Sequence, residues 1–260
     1  MAGGSVLIER DGSIATLTLS SPGRMNALDK AMWAGLGAAM HELGNDESLR
    51  CIVLRGAGDK AFAAGADIAE FHVERASSAQ AKAYASGGIG WLQAVADCRH
   101  PTVALIQGAC VGGGLLLASQ CDLRICNESA RFGVPVKNLG LTESYDELQG
   151  MMRLIGPAAS LEILLEGRIW GAKEAYEKGL VSRIVPDGDV VDEAYATARR
   201  IAEGAPLVAR WHKKFIRRLL DPRPLTAEER DEGYACFDTE DFRSGVTAFL
   251  AKRKPEFSGR

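Results

Sequence analysis

Two short glycine-bearing loops carry the residue types that could do chemistry. The first, Lys60-Ala61-Phe62-Ala63-Ala64-Gly65-Ala66-Asp67-Ile68, has small residues that let a ligand approach the backbone, and the Asp67 side chain can cap a following helix. The second, Gln107-Gly108-Ala109-Cys110-Val111-Gly112-Gly113-Gly114-Leu115, runs into a helix whose first N–H groups suit an anion or a developing oxyanion. Taken alone, either loop reads equally as a tight turn with close helix–strand packing. The spacing Gly108-x-x-x-Gly112-Gly113-Gly114 does not match the GxGxxG dinucleotide fingerprint, and it falls deep in the chain. Three carboxylates, Glu143, Asp146 and Glu147, crowd between Gly140 and Gly150. No CxxC pair or Cys/His cluster points to zinc, so no metal is expected.

Hydrophobic periodicity predicts the elements that hold these loops. Residues 6–9 and 14–19 alternate as a hairpin, and Asp29 reads as the N-cap of a helix with Met32, Trp33, Leu36, Met40 and Leu43 on one face. A buried strand at 51–54 precedes the first loop and another at 103–106 precedes the second. Helices are predicted near 79–95 and from 113 to about 120, with a strand at 123–126. Strands alternating with helices argue for α/β layering with parallel pairing. After Gly140, helices are expected near 158–165, 172–178, 190–203 and 207–220, with a strand at 181–185. The capping box Thr226-x-x-Glu229 opens a last helical stretch carrying Phe242, Val246, Phe249 and Leu250. The expected division is a core over 1–195 and a helical region over 196–260.

Composition excludes more than it names. The 260 residues, 47% hydrophobic and 25% charged, belong to an ordinary globular chain with ample length for a core. With 31 Lys+Arg against 34 Asp+Glu, the net charge of −3 gives no basic excess for phosphate neutralisation, so nucleic acid is not an expected partner. No apolar run reaches the roughly 18 residues of a membrane helix. Met1-Ala2-Gly3-Gly4-Ser5 lacks the charged and apolar regions of a secretory signal. Six scattered cysteines fit a reduced, cytoplasmic compartment.

Read together, Ala61-Phe62-Ala63-Ala64-Gly65-Ala66-Asp67-Ile68, Gly112-Gly113-Gly114, Cys121-Asp122, Phe132-Gly133, Gly179-Leu180-Val181-Ser182 and Ala248-Phe249-Leu250-x-Lys252-Arg253-Lys254-Pro255 resemble the crotonase (enoyl-CoA hydratase/isomerase) superfamily, in order. The resemblance spans nearly the whole chain from Asn26-Ala27-Leu28. It implies a ββα-superhelix core with a C-terminal helical trimerisation region, a homotrimer or dimer of trimers, and an acyl-CoA thioester substrate. Coenzyme A would enter with the substrate, and no other cofactor is expected. By motif position, the backbone N–H groups of Ala66 and Gly113 would hold the thioester carbonyl as it becomes an enolate. Ala27, Ala64, Asp67, Ile68, Leu116 and Val136 would contact the acyl-CoA. The resemblance also puts His72 in a helix bordering the acyl pocket, and Tyr84 and Trp91 in the stretch that shapes it, where core packing is their other reading. Arg24 and Lys252-Arg253-Lys254 could meet coenzyme A phosphates.

The resemblance breaks at the acids. Hydratases of the family use two glutamates, and those positions here hold Leu116 and Val136, neither of which can move a proton. A Pro-Gly-x-Gly-Gly-Thr-Gln-Arg segment of the family is replaced by Leu141-Thr142-Glu143-Ser144-Tyr145-Asp146-Glu147-Leu148-Gln149-Gly150. Counting from Phe132 puts Ser144 where dienoyl-CoA isomerases and aromatic dehalogenases carry a working aspartate. Glu143 is the first candidate acid/base, because an apolar pocket lined by Leu116 and Val136 would raise its pKa towards neutrality. A solvated acidic loop over 143–147 is the equal alternative, and Asp146 and Glu147 read as solvated. One acid/base suits isomerisation, decarboxylation or an atypical hydratase/lyase reaction. A noncatalytic CoA-binding or scaffold protein is the competing reading.

Overall fold

An antiparallel hairpin of β1 (Ser5–Asp11) and β2 (Ile14–Ser20) opens the chain, as the alternation at 6–9 and 14–19 predicts. The structure, a computed structural model, describes residues 3–260 apart from the side chains of 85–89; Met1 and Ala2 of the segment read for a signal lie outside the described residues. Helix α1 (Lys30–Asn45) follows, with Asp29 accepting from Met32 N–H as its N-cap and with Met32, Trp33, Leu36, Met40 and Leu43 buried.

From here the chain repeats one motif: a long strand, a short strand in a second sheet, then a helix. In the first round β3 (Cys51–Gly56) leads into β4 (Ala61–Ala63), the four-residue helix α2 (Phe71–Glu74) and the long α3 (Ser78–Asp97). The second has β5 (Thr102–Ile106), β6 (Ala109–Val111) and α4 (Gly113–Gln120). The third has β7 (Leu123–Asn127), β8 (Arg131–Gly133) and α5 (Tyr145–Glu166), which breaks at Gly156 ahead of Pro157. The helix expected near 158–165 is thus the second half of α5. Its first half is a helix that opens on the acidic stretch for which a solvated loop is the equal alternative above.

The remaining elements are β9 (Trp170–Gly171), α6 (Ala172–Glu177), β10 (Arg183–Val185), α7 (Val190–Ala202), α8 (Pro206–Arg218), α9 (Ala227–Glu232) and α10 (Glu240–Leu250). The large sheet runs β1-β2-β3-β5-β7-β10, parallel from β2 onward; the small sheet runs β4-β6-β8-β9. Both faces of the large sheet are covered, which is why its parallel strands read as unbroken apolar runs. Ile52, Leu54, Ala104 and Ile106 face the main core with α1, α3 and α4, while Cys51, Val53, Val103 and Leu105 face Val190, Ala194, Ala198 and Ala202 of α7. The division expected at 195/196 falls inside α7, whose buried face is continuous across it. Among the described residues no helix is long and apolar enough to cross a membrane.

Helix α8 docks on the core through Asp122. That carboxylate accepts from Thr102 N–H at 2.8 Å and Thr102 Oγ1 at 2.9 Å, and pairs with Lys213 at 2.7 Å and Arg217 at 2.9 Å. Lys213 Nζ also donates to the His100 carbonyl at 2.7 Å. The His100 ring beneath is fully buried, and among the described residues neither ring nitrogen has a partner. Burial, together with the charges of Arg210, Arg99 and Lys213, lowers its pKa to about 4. In the unfolded chain the ring titrates near 6.5, so below that pH the unfolded state binds a proton that the folded state refuses. Stability contributed by the neutral ring is therefore lost as pH falls from about 6.5 towards 4, by up to about 3 kcal/mol. Denaturant unfolding at pH 4 to 7 is expected to show a steeper loss in the wild type than in His100→Leu; parallel profiles would refute the assignment.

Helix α4 touches β4 backbone to backbone: a Cβ on Gly114 would lie 2.3 Å from the Ala63 carbonyl oxygen. Alanine is the better helix former by about 1 kcal/mol, yet the contact requires backbone movement. Gly114→Ala is expected to lower stability by roughly 1–3 kcal/mol in chemical denaturation. A variant as stable as the wild type would mean that β4 and α4 separate freely.

Candidate active site

Segment 25–28 lies alongside the first glycine loop like a short extra strand and fixes it. Ala64 N–H donates to Met25 O at 3.0 Å, Leu28 N–H to Gly65 O at 2.8 Å, and Asp67 N–H to Leu28 O at 2.9 Å. Asn26 ties this segment down: its amide donates to Ala57 O and Ala61 O, and its side-chain oxygen accepts from Ser21 N–H. In this parallel bridge the bonds of Leu28 flank Ala66, so the Ala66 N–H faces the other way. The Asp67 side chain accepts from Ala69 N–H at 3.1 Å and pairs with Arg24. It caps the 3₁₀ turn Ile68–Glu70, as its position predicts.

The second loop meets the first at glycine. Gly65 (φ +101°) and Gly112 (φ +52°) both occupy positive-φ conformations, and an added Cβ on Gly112 would lie 3.6 Å from Gly65 Cα. Gly112 N–H donates to Gly133 O at 2.8 Å, and Leu116 N–H to Gly112 O at 3.0 Å. Gly113 is the first residue of α4, where an N–H has no acceptor within the helix. A Cβ on Gly113 would lie 3.6 Å from Ala66 N. Two adjacent N–H groups, from Ala66 and Gly113, thus donate to no protein acceptor among the described residues. Both line one cavity of about 640 Å³. Paired donors of this kind, one at a helix start, suit an oxygen that gains negative charge.

The cavity wall is largely apolar. Leu92, Leu116, Val136, Leu139 and Leu141 contribute aliphatic surface. Trp33 of α1 and Trp91 of α3 stack at 6.1 Å, and Tyr84 meets Trp91 edge-on at 6.4 Å. Packing and cavity lining are therefore one role for Tyr84 and Trp91. Two carboxylates, Glu143 and Glu147, reach the cavity from the start of α5. Burial, reinforced by the Glu147 charge and opposed by Arg75, pushes the half-buried Glu143 carboxyl up to about 7. Glu147 is held: its Oε2 accepts from Ser144 N–H at 2.7 Å and Ser144 Oγ at 2.6 Å, while Glu147 N–H donates to Ser144 Oγ. This capping box absorbs Ser144, which lines the cavity but spends its hydroxyl on the helix end.

Of the residues singled out in the sequence, Ala64, Ala66, Ile68, Gly113, Leu116, Val136 and Glu143 all meet at this cavity. Ala27 and Asp67 do not line it; both belong to the backbone and ion-pair framework behind the first loop. Asp146 lies outside, accepting from Gln149 at 3.4 Å. His72 and His212 are exposed and away from the cavity, and His41 bonds to Asn45. Arg24 is engaged by Asp67, and Lys254 by Glu203 at 2.9 Å. Burial pushes the Cys110 thiol of the second loop well above its ordinary range, so it offers no thiolate nucleophile. Among the described residues no cluster of three or more His, Cys, Asp or Glu could hold a metal ion.

Sequence reasoning missed Glu147, Trp33, Phe71, Arg75 and Lys82 as lining residues. For Glu147 a signal was present, since Ser144-x-x-Glu147 has the capping-box spacing also found at Thr226-x-x-Glu229. Arg75 terminates a helix of only four residues, too short for any periodicity.

Residues 9–260 match the profile of the enoyl-CoA hydratase/isomerase family. The crystal structure of an enoyl-CoA hydratase/carnithine racemase from Magnetospirillum magneticum superposes with a TM-score of 0.97 at 50% identity, covering 98% of this chain and 96% of the other. A protein named "Probable enoyl-CoA hydratase echA8" from Mycobacterium tuberculosis is 36% identical over 258 residues, 98% of each chain. The short-chain-enoyl-CoA hydratase of Clostridium acetobutylicum is 31% identical over 254 residues, 97% of each. The α/β core and helical C-terminal region are those of the crotonase fold. On loop geometry, profile and relatives together, the chain belongs to the enoyl-CoA hydratase/isomerase family.

Proposed function

We propose that this member of an acyl-CoA-processing family shifts a carbon–carbon double bond within an acyl-CoA. Ala66 and Gly113 hold the thioester oxygen, and Glu143 is the single acid/base. The observation that carries this reading is a carboxyl poised near neutrality, that of Glu143, in an apolar cavity that also contains two N–H donors without acceptors among the described residues. The Glu143 carboxylate removes a proton from C2 of a 3-enoyl thioester, and the electron pair moves into an enolate whose oxygen accepts from the two N–H groups. The Glu143 acid then returns the proton to C4 and the double bond comes to rest between C2 and C3. Nothing is added or lost, and coenzyme A, carried by the substrate, is the only further group the step needs. Ala64, Ile68, Leu116 and Val136 flank the acyl path in this reading, while Ala27 and Asp67 support the loop that carries Ala66.

Classical hydration requires one group to activate water and another to supply the α-proton. Leu116 and Val136 supply neither, and Glu147 is tied to Ser144. Hydration is the second reading, favoured by Glu147 lying in the same cavity as Glu143 and by the names of the relatives. The free state of the cysteines and their burial, Cys236 apart, support a reduced, cytoplasmic setting. Apolar side chains exposed on α8, at its C-cap and on α10, among them Ile216, Leu219, Phe249 and Leu250, support self-association as a homotrimer or dimer of trimers.

Glu143 must be ionised to take a proton, so kcat/KM is expected to rise with pH through a midpoint of about 7 and level off above it. Glu143→Gln is expected to lower kcat by roughly 10²–10⁴-fold with KM little changed. Turnover of 3-enoyl-CoA and 2-enoyl-CoA in H₂¹⁸O, read by mass spectrometry, separates the readings. Isomerisation leaves the product free of ¹⁸O, and incorporation would establish hydration instead. A wild type that binds acyl-CoA and converts none of it would make the chain a noncatalytic binding protein.

A further inference from the structure

The cavity holds a cation that nothing in the reaction uses. Arg75, the residue that ends α2, lies with its guanidinium carbon 4.0 Å above the Tyr84 ring centroid and 4.6 Å above that of Phe71. Two aromatic rings so placed fix the guanidinium plane and remove water from its faces. Its Nε is buried without a hydrogen-bond partner, and no carboxylate pairs with it among the described residues. The neighbouring Glu74 is taken by Lys30 at 2.7 Å. Lys82 of α3, one turn beyond Ser78, lines the same wall and has no ion pair among the described residues. A guanidinium held against aromatic rings beside an apolar cavity is stabilised by a ligand that supplies its terminal nitrogens with an acceptor.

We infer that Arg75, with Lys82 beside it, selects acyl-CoA substrates whose acyl chain ends in a carboxylate. This rests on the reading of the cavity as an acyl thioester site. The thioester oxygen belongs at Ala66 and Gly113, and the carbons beyond it face Glu143. Arg75 is near enough to Glu143 for their charges to interact, so an anion held by Arg75 is carried on the acyl side. A carboxylate there can accept from the two terminal nitrogens of the guanidinium together, in the planar geometry arginine favours. A methyl-ended chain offers those terminal nitrogens no acceptor.

Binding to saturated thioesters tests this without turnover. Isothermal titration would compare two CoA thioesters of equal acyl length, one ending in methyl and one in carboxylate, with free CoA as a third ligand. Wild-type protein is expected to bind the carboxylate-ended thioester at least about tenfold more tightly than the methyl-ended one. Arg75→Met should abolish that preference while leaving the methyl-ended thioester and CoA within about twofold, and Arg75→Lys should retain part of it. Equal wild-type affinity for the two thioesters overturns the inference and leaves the isomerase reading standing. Arg75→Met weakening free CoA as much as the thioesters would show that the cation holds a coenzyme A phosphate, and this also overturns it. If neither thioester binds, the acyl-CoA reading of the cavity fails with it.

Discussion

Two backbone N–H groups that the fold leaves without acceptors set the terms for the rest of this molecule. Backbone donors in a folded chain are almost always paired, so keeping two of them open at one point requires the surrounding chain to be over-determined. Here the bridge between Leu28 and Ala66 uses the bonds on either side of Ala66, and the start of α4 supplies Gly113. Gly65 and Gly112 let the two loops touch through their backbones, and Gly114 lets α4 press on β4. The repeated long strand, short strand and helix brings residues 60–68 and 107–115 side by side, although residues 69–106 lie between them in sequence.

The cavity wall then decides what an anion at that point can become. Aliphatic and indole surfaces exclude water, which strengthens both the two N–H donors and any charge opposite them. The same exclusion drives Glu143 towards neutrality, and Glu147 adds to the shift because the capping box fixes it nearby. A carboxyl near neutrality can both take and return a proton at ordinary pH, whereas a solvated glutamate is a weak acid source there. Arg75 acts in the opposite sense, so the Glu143 pKa is a balance between the α5 cap and the α2–α3 wall.

The alternation of 14–19, the apolar runs at 51–54 and 103–106 and the Asp29 cap are local signals, and the corresponding elements form as predicted. The small sheet was not legible, because β4, β6, β8 and β9 have two or three residues each and are defined by partners far along the chain. Asp146 and Glu147 look like a solvated loop in composition, yet acids in a first helical turn complement the macrodipole, and Ser144-x-x-Glu147 closes the cap. The loops carrying Ala66 and Gly113 could be read from glycine content and motif, and the fold sets them side by side. Whether Glu143 faced solvent or cavity depended on the path of the chain after Leu139, which no local pattern encodes. The α2 cation was equally silent, because only its contacts with Phe71 and Tyr84 give it a direction.

Overall relatedness and reaction type are specified by different parts of the chain. The open N–H pair depends on backbone conformation and a few glycines, so the side chains nearby can change without altering it. Acids on the wall are different, since one can be replaced by an aliphatic residue without disturbing any strand or loop. Leu116, in the second turn of α4, is buried in the main core, and Val136 packs against it. Neither leaves an unmet polar group, so exchanging a wall carboxylate for leucine or valine carries little cost in stability. On the proposed reading these exchanges have a second effect: they dry the wall around Glu143, which favours its neutral form. The aliphatic wall and the poise of Glu143 are then a single physical feature, seen from two sides of the cavity.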